Sequence, residues 1–214
     1  MLIDHICVVF FAENQAAFIV RHTAGRLAMP IFAFLLVEGF FHTKSRLRYG
    51  VTLLVFAVIS EPAFDLIFNK AVIEFSYQNV LFSLLLGLVM LCLIEKINYS
   101  SFSYLQYPLI AGFALLVWFL KTDHDISVII MIAIFYYFRW HSVTLRSIFG
   151  CAAAALISGT PGTLLAVIPL CLYNQQRGRL NTFGKYFFYA FYPVHILLIY
   201  IVTYVLGYAQ FAIK

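Results

Sequence analysis

Six ionisable side chains interrupt apolar stretches of this sequence, where a charge is costly. They are Asp4, His5, Arg26, Glu38, Glu61 and His195. Insertion scales put the cost of a charged residue in a membrane at about 2.5–3.5 kcal/mol, so such groups usually pair with one another or line a hydrated cavity. A histidine titrates near neutral pH and can act as a general base. The pattern therefore predicts a reaction site within a membrane.

Helical spacing limits which of these groups can meet. Asp4 and His5 are adjacent, so on one helix their side chains diverge by about 100° and need not touch. Arg26 and Glu38 are twelve positions apart, roughly 18 Å along a helix, so each needs a partner elsewhere. Glu38 and His42 lie four apart on one face, where they can share a proton or a hydrogen bond.

The third apolar stretch repeats the four-residue spacing with two carboxylates. Glu61 and Asp65 repel each other if both ionise, so either one holds a proton or both face a polar lumen near Lys70 or Arg21. Asn79 precedes the next apolar run, and we expect it to be a helix N-cap.

His195 follows Pro193 in an aromatic stretch near the C-terminal end. Tyr186, Tyr189 and Tyr192 there are typical of an interfacial aromatic belt, but His195 lies deeper than such a belt. Two interpretations stay open, a histidine satisfied by a backbone carbonyl and a catalytic one.

The composition indicates a membrane protein. Of the 214 residues, 64% are hydrophobic and only 11% are charged, and the mean hydropathy is +0.94. These values exclude an ordinary soluble domain. The four cysteines and six histidines show no metal-ligand spacing, so we predict no metal site. No nucleic-acid partner is expected.

The apolar runs predict an all-α, polytopic transmembrane bundle of about eight to nine membrane segments, formed by a single domain over residues 1–214. A full crossing needs about 20 residues, and several runs are shorter. For the run 1–12, either translation begins upstream or the helix crosses only partly. No cleavable signal is expected there.

Residues 147–173 contain a strong turn signal at 158–162 between two short apolar segments. They predict either a re-entrant hairpin or two short crossings. If residues 147–173 form a there-and-back element, which returns the chain to the side where it started, and the N-terminus is cytoplasmic, nine of the fourteen Lys and Arg residues lie on the cytoplasmic side. Because cytoplasmic loops are rich in Lys and Arg, we expect the N-terminus to be cytoplasmic.

Two basic clusters lie on that side. The denser one is the turn from His42 to Arg48, which also carries Lys44 and Arg46, and the second is 177–179. Topology alone accounts for such clusters. Alternatively, they bind the phosphates of an anionic cosubstrate such as coenzyme A.

Four short motifs, in order, resemble the TraX family over nearly the whole chain. They are MLIDHI at 1–6, GRLAMPIFAF at 25–34, EGFFHT at 38–43 and YAFYPVH at 189–195. Family members usually carry several more residues before the Asp-His pair. The resemblance implies a multi-pass acetyltransferase of the bacterial inner membrane, associated with acetylation of pilin N-termini in conjugation.

The implied donor is acetyl-CoA, as a cosubstrate and not a permanently bound cofactor. The implied acceptor is a pilin-like amine or a glycan hydroxyl. The matched positions suggest His5 as the base, oriented or charge-compensated by Asp4 or Glu38, with Arg26 stabilising the oxyanion and His195 as the reserve base. The predicted coenzyme A contacts are His42, Lys44, Arg46, Arg48 and Tyr192.

Two other classes of protein share these features. Proton-coupled transporters also place acidic residues and histidines within the membrane, although no clear internal repeat relates the two halves of this chain. In a non-catalytic assembly factor, the buried charges would only tie helices together.

Overall fold

In a computed structural model, the chain is described over residues 1–69, 71, 74, 77–123, 125–176 and 182–206. Within these ranges the regular structure is helical, as predicted. The α-helices are α1 Leu2–Phe10, α2 Gln15–Thr23, α3 Ala28–His42, α4 Arg46–Phe68, α5 Val80–Asn98, α6 Gln106–Phe119, α7 Asp125–Tyr137, α8 Val143–Ser158, α9 Val167–Cys171 and α10 Thr182–Val205. Short 3-10 turns at Gly25–Leu27, Ser103–Leu105, Phe138–Trp140 and Pro161–Ala166 connect some of them.

Polar side chains begin several helices in the expected way. Asn14, Ser45, Asn79 and Ser142 precede α2, α4, α5 and α8, and each accepts a hydrogen bond from a backbone N–H in the first turn. Such caps satisfy donors that otherwise have no partner at a helix start. The predicted N-cap role of Asn79 is confirmed.

Four helical segments are long and apolar enough to cross a membrane, among the residues that the structure describes. They are Gln15–His42, Arg46–Phe68, Val80–Asn98 and Tyr186–Val205. The predicted count of eight to nine membrane segments is not confirmed. The other apolar helical segments are shorter than a full crossing requires: Ser103–Phe119, Ile126–Trp140, Val143–Ser158 and Pro161–Cys171.

The predicted there-and-back element at 147–173 is present as a helical hairpin. Helix α8 ends at Ser158 and is followed by Gly159. The φ of Gly159 is +65°, the left-handed conformation that glycine adopts easily. The chain then returns through Pro161–Ala166 and α9, and both pack against α8. Gly162 lies so close to helix α2 that a Cβ atom there would come within 1.7 Å of the His22 carbonyl oxygen.

Helices α3, α5 and α7 form the centre of the bundle. Helix α7 packs against α3, α5, α6 and α8, while α10 packs along α4. The short α1 lies between α2 and α10. The bundle has two distinct ends. We call the one where α3 ends and α4 begins the basic end, because it carries Arg46 and Arg139. At the opposite end, Tyr77, before α5, donates a hydrogen bond to Asp123, before α7.

Candidate functional site

Two histidines from distant parts of the chain meet toward the end opposite the basic end. His5 on α1 and His195 on α10 are 5% and 4% exposed. His5 Nδ1 lies 3.0 Å from His195 Nε2, and the two rings are nearly parallel. Phe68 and Tyr192 pack edge-on to the His5 ring. The sequence named both histidines as candidate bases, and the structure joins them in one pair.

A backbone carbonyl fixes which nitrogen of His195 carries its hydrogen. His195 Nδ1 lies 2.7 Å from the Phe191 carbonyl oxygen, which can only accept, so Nδ1 is the donor. In a neutral pair, His195 Nε2 is then the acceptor and His5 Nδ1–H donates to it. This arrangement leaves the lone pair of His5 Nε2 available as a base.

A small cleft adjoins the pair. It is lined by Met1, Asp4, His5, Gly25, Arg26, Ala28 and Asp123. Arg26 Nε is buried and has no hydrogen-bond partner among the described residues. Gly25 allows the chain between α2 and α3 to pack closely against α1. A Cβ atom at position 25 would lie 2.9 Å from Asp4 Oδ1. The cleft thus combines an imidazole, a guanidinium group and two carboxylates.

Asp4 and His5 point in different directions, as their adjacency on one helix predicts. Asp4 Oδ1 lies 3.4 Å from Arg21 Nε on α2, whereas His5 contacts His195 on α10. Asp4 therefore does not form a dyad with His5. Its ion pair fastens α2 to α1 beside the cleft.

Glu38 is not part of this site. It lies on α3 twelve positions after Arg26, roughly three turns or 18 Å of helix toward the basic end. The suggested role of Glu38 in orienting His5 is therefore not supported. The helical rise that keeps Arg26 and Glu38 apart also keeps Glu38 from the histidine pair.

Glu38 is instead the centre of a second buried cluster. Its Oε1 lies 2.7 Å from Arg146 Nη1 and 3.3 Å from Arg139 Nε. Its Oε2 accepts a hydrogen bond from the Tyr173 hydroxyl at 3.2 Å and lies 3.7 Å from His42 Nε2. The predicted proximity of Glu38 and His42 is confirmed.

The residues predicted to contact coenzyme A are divided between the two ends. Lys44 and Arg48 are exposed at the basic end. Arg46 is bound by both oxygens of Glu95 and stacks over Phe40, so its charge is already compensated. Tyr192 is buried beside His5 and His195 and lies away from the basic turn. The cluster at 177–179 falls outside the described residues.

The two carboxylates of α4 have separate partners. Glu61 is bound by the side chain of Asn79, which also donates to the Ala57 carbonyl oxygen at 3.0 Å. Asp65 accepts from the Asn69 side chain and the Glu74 backbone N–H, each at 2.8 Å. Arg21, one of the cations predicted near them, pairs with Asp4, and Lys70 lies outside the described residues. We interpret both carboxylates as structural ties around the α4–α5 connection.

Several site residues were missed by the sequence reasoning. Asp123 in the cleft follows a short apolar helix, and Arg139, Arg146 and Tyr173 surround Glu38. The two arginines were used only to predict orientation. Among the described residues, no three His, Cys, Asp or Glu side chains are arranged to hold a metal ion.

The apolar helices and the buried histidine pair define a multi-helix membrane protein with a polar site inside its helical bundle. A model of the family described as TraX protein matches residues 1–203, and the chain belongs to this family. It is 32% identical over 225 residues to a protein of Dichelobacter nodosus named "Probable fimbrial assembly protein FimC, serogroup H1", covering 93% of this chain and 89% of that protein. No solved structure matches the chain significantly.

Proposed function

We propose that this protein is an acetyltransferase of the bacterial inner membrane that moves an acetyl group from acetyl-CoA to an amine or hydroxyl acceptor. The observation that carries the proposal is the hydrogen-bonded chain from the Phe191 carbonyl through His195 to His5. It orients the buried His5 imidazole at the edge of the cleft. Acyl transfer to a neutral nucleophile needs such a base.

The histidine pair can take up the acceptor's proton in two linked movements. As the acceptor nitrogen or oxygen attacks the thioester carbonyl carbon, its proton passes to His5 Nε2. His5 Nδ1–H can then pass to His195 Nε2, so the positive charge is shared with a ring whose Nδ1–H donates to the Phe191 carbonyl. The C–S bond breaks, and the leaving thiolate takes up the proton held by the histidine pair, which gives free coenzyme A and the neutral pair.

Arg26 is suited to the charge that develops on the carbonyl oxygen. Its buried Nε has no partner among the described residues, and it lines the same cleft as His5. A preorganised donor aimed at such an oxyanion contributes roughly 10²–10³ in rate in other acyl-transfer enzymes. Asp4, which pairs with Arg21, and Asp123 line the same cleft.

The relative's name fits this proposal. That protein of Dichelobacter nodosus is described as a probable fimbrial assembly protein, and modification of a pilin-like subunit in the membrane is one step such assembly can include. The same name also fits a non-catalytic assembly factor, which would leave the histidine pair without a chemical role. The proposed partners are therefore acetyl-CoA, a pilin-like protein or a glycan acceptor, and membrane lipid.

Acetyl transfer from labelled acetyl-CoA in proteoliposomes tests the proposal. A peptide with a free N-terminal amine and a glycan are offered separately as acceptors, and the products are identified by mass. We expect the wild type to label one of them and the His5→Ala variant to lose that activity. His141→Ala, which changes an exposed histidine, is the matched control. Equal labelling by wild type and His5→Ala would refute the role of the pair.

A further inference from the structure

The cluster around Glu38 holds more positive charge than its carboxylate compensates. Arg139 and Arg146 share the single carboxylate oxygen Oε1, so two guanidinium groups face one negative charge. His42 Nε2 lies 3.7 Å from the other oxygen, Oε2. Buried charges are costly unless they are paired, and here the pairing is incomplete.

Arg146 shows where an additional anion would bind. It is 1% exposed, and its Nε and Nη2 are buried without a hydrogen-bond partner among the described residues. Its guanidinium lies over the Phe34 ring, 4.4 Å from the ring centroid. That contact stabilises the cation, but the ring accepts no hydrogen bond from the N–H groups in the guanidinium plane. A guanidinium has five N–H donors in a fork that matches the oxygens of a phosphate.

The cluster is reached from the basic end. The Arg139 side chain is 16% exposed and the His42 side chain 34% exposed, whereas Glu38 is 5% exposed. Lys44 and Arg48 are exposed at the same end, and they create a positive potential that attracts anions. An anion approaching there meets Arg139 first and Arg146 behind it.

We propose that Arg139 and Arg146 form a binding site for a phosphate or pyrophosphate group. This inference rests on the proposed function in one respect, which is that it assigns the phosphates to acetyl-CoA. In this proposal Arg139 and Arg146 take the place of Arg46 and Tyr192, which the sequence suggested as coenzyme A contacts. Glu38 holds the two guanidinium groups in place and competes with the ligand for them. An anionic lipid headgroup offers the same chemistry and is the alternative source.

Binding of desulfo-CoA, which carries the phosphates of coenzyme A but no thiol, tests the site without requiring catalysis. The protein is placed in nanodiscs of neutral phosphatidylcholine, and inorganic pyrophosphate is the competitor. We expect Arg139→Gln and Arg146→Lys each to weaken binding about tenfold, the loss of a charged hydrogen bond. Glu38→Gln should tighten binding, because it removes the competing carboxylate. A purely structural role of the cluster predicts no such gain.

Lys96→Gln, which removes an exposed charge next to Glu95 at the same end, is the matched control. Binding as tight as wild type in both arginine variants, or a loss confined to Lys96→Gln, would overturn the site. Thermal unfolding of each variant checks its folding, and the partly exposed Arg139 keeps the test valid if Arg146→Lys does not fold.

Nanodiscs with phosphatidylglycerol distinguish the two sources of phosphate. If that lipid stabilises the wild type but not Arg139→Gln, while desulfo-CoA fails to bind, the assignment to acetyl-CoA is overturned. Tight binding of desulfo-CoA by a wild type that transfers no acetyl group would support the site and refute the proposed function.

Discussion

His5 Nδ1 lies 3.0 Å from His195 Nε2, although 190 positions separate the two residues in the chain. The contact joins the first helix of the fold to the last one. Because the Phe191 carbonyl fixes the hydrogen of His195, the direction of every hydrogen bond in a neutral pair follows. His195 thereby acts as a positioning residue for His5.

A glutamine at position 195 should preserve part of that positioning. The side-chain oxygen of His195→Gln can still accept a hydrogen bond from His5 Nδ1–H, but it cannot take up a proton. We therefore expect His195→Gln to retain more acetyl transfer than His195→Ala, with the difference in kcat and little change in KM for acetyl-CoA. Equal rates of the two variants would show that the hydrogen bond does not orient His5.

Arg26→Gln should lower kcat by roughly 10²-fold and leave KM nearly unchanged, because an oxyanion donor acts mainly in the transition state. Steady-state acetyl transfer in proteoliposomes measures both constants. Arg21→Gln is the matched control, since Arg21 pairs with Asp4 but does not line the cleft. An increase in KM with an unchanged kcat would instead assign Arg26 to ground-state binding of the substrate.

The contact between Gly162 and helix α2 should make Gly162→Ala strongly destabilising. A Cβ atom would meet the His22 carbonyl oxygen at 1.7 Å and the Thr23 Cα at 3.0 Å, so the backbone has to move. Overpacking of this kind costs about 1–3 kcal/mol or more. Gly112→Ala, where no atom lies within 4 Å, should not lower the Tm. Similar Tm values for both variants in nanodiscs would contradict the close packing.

Asn79 should contribute more stability than an ordinary helix cap. Both Asn14 and Asn79 accept hydrogen bonds at helix starts, and loss of a cap costs about 1 kcal/mol. Asn79 also donates to the Ala57 carbonyl and binds Glu61, so Asn79→Ala leaves one buried and one partly buried acceptor without that partner. Thermal unfolding should therefore show a larger drop for Asn79→Ala than for Asn14→Ala. Equal drops in Tm would mean that the hydrogen bonds from Asn79 to α4 do not stabilise the fold.

The helices and the candidate bases could be predicted from the sequence, because both depend on local patterns. Apolar runs, the Asn79 cap and the turn at 158–162 are read from neighbouring residues, and the four-residue spacing gave the Glu38–His42 contact. Both histidines of the pair were identified, but as alternatives. The spacing of residues along a helix does not show that α1 packs on α10. The hydrogen bond between His5 and His195 could therefore not be predicted from the sequence.

The other expectations depended on contacts that neighbouring residues do not reveal. Glu38 was suggested, as an alternative to Asp4, to orient or charge-compensate His5, whereas its position on α3 directs it to Arg146 and Arg139. The count of eight to nine membrane segments is not confirmed, because several apolar helices are shorter than a crossing. The N-terminus and the turn from His42 to Arg48 were expected on the same side of the membrane, but this is wrong, because Met1 lines the cleft at the end opposite Arg46. Which end faces the cytoplasm stays a prediction.

The most direct test of the central claim is a double-mutant cycle on the histidine pair. Acetyl transfer by His5→Ala, His195→Ala and the double variant is compared with wild type in proteoliposomes, with circular dichroism to check folding. If the two residues act as one unit, His5→Ala loses about 10²–10⁴ in rate, His195→Ala also loses activity, and the double variant is no worse than His5→Ala. Wild-type rates in both single variants would contradict the account.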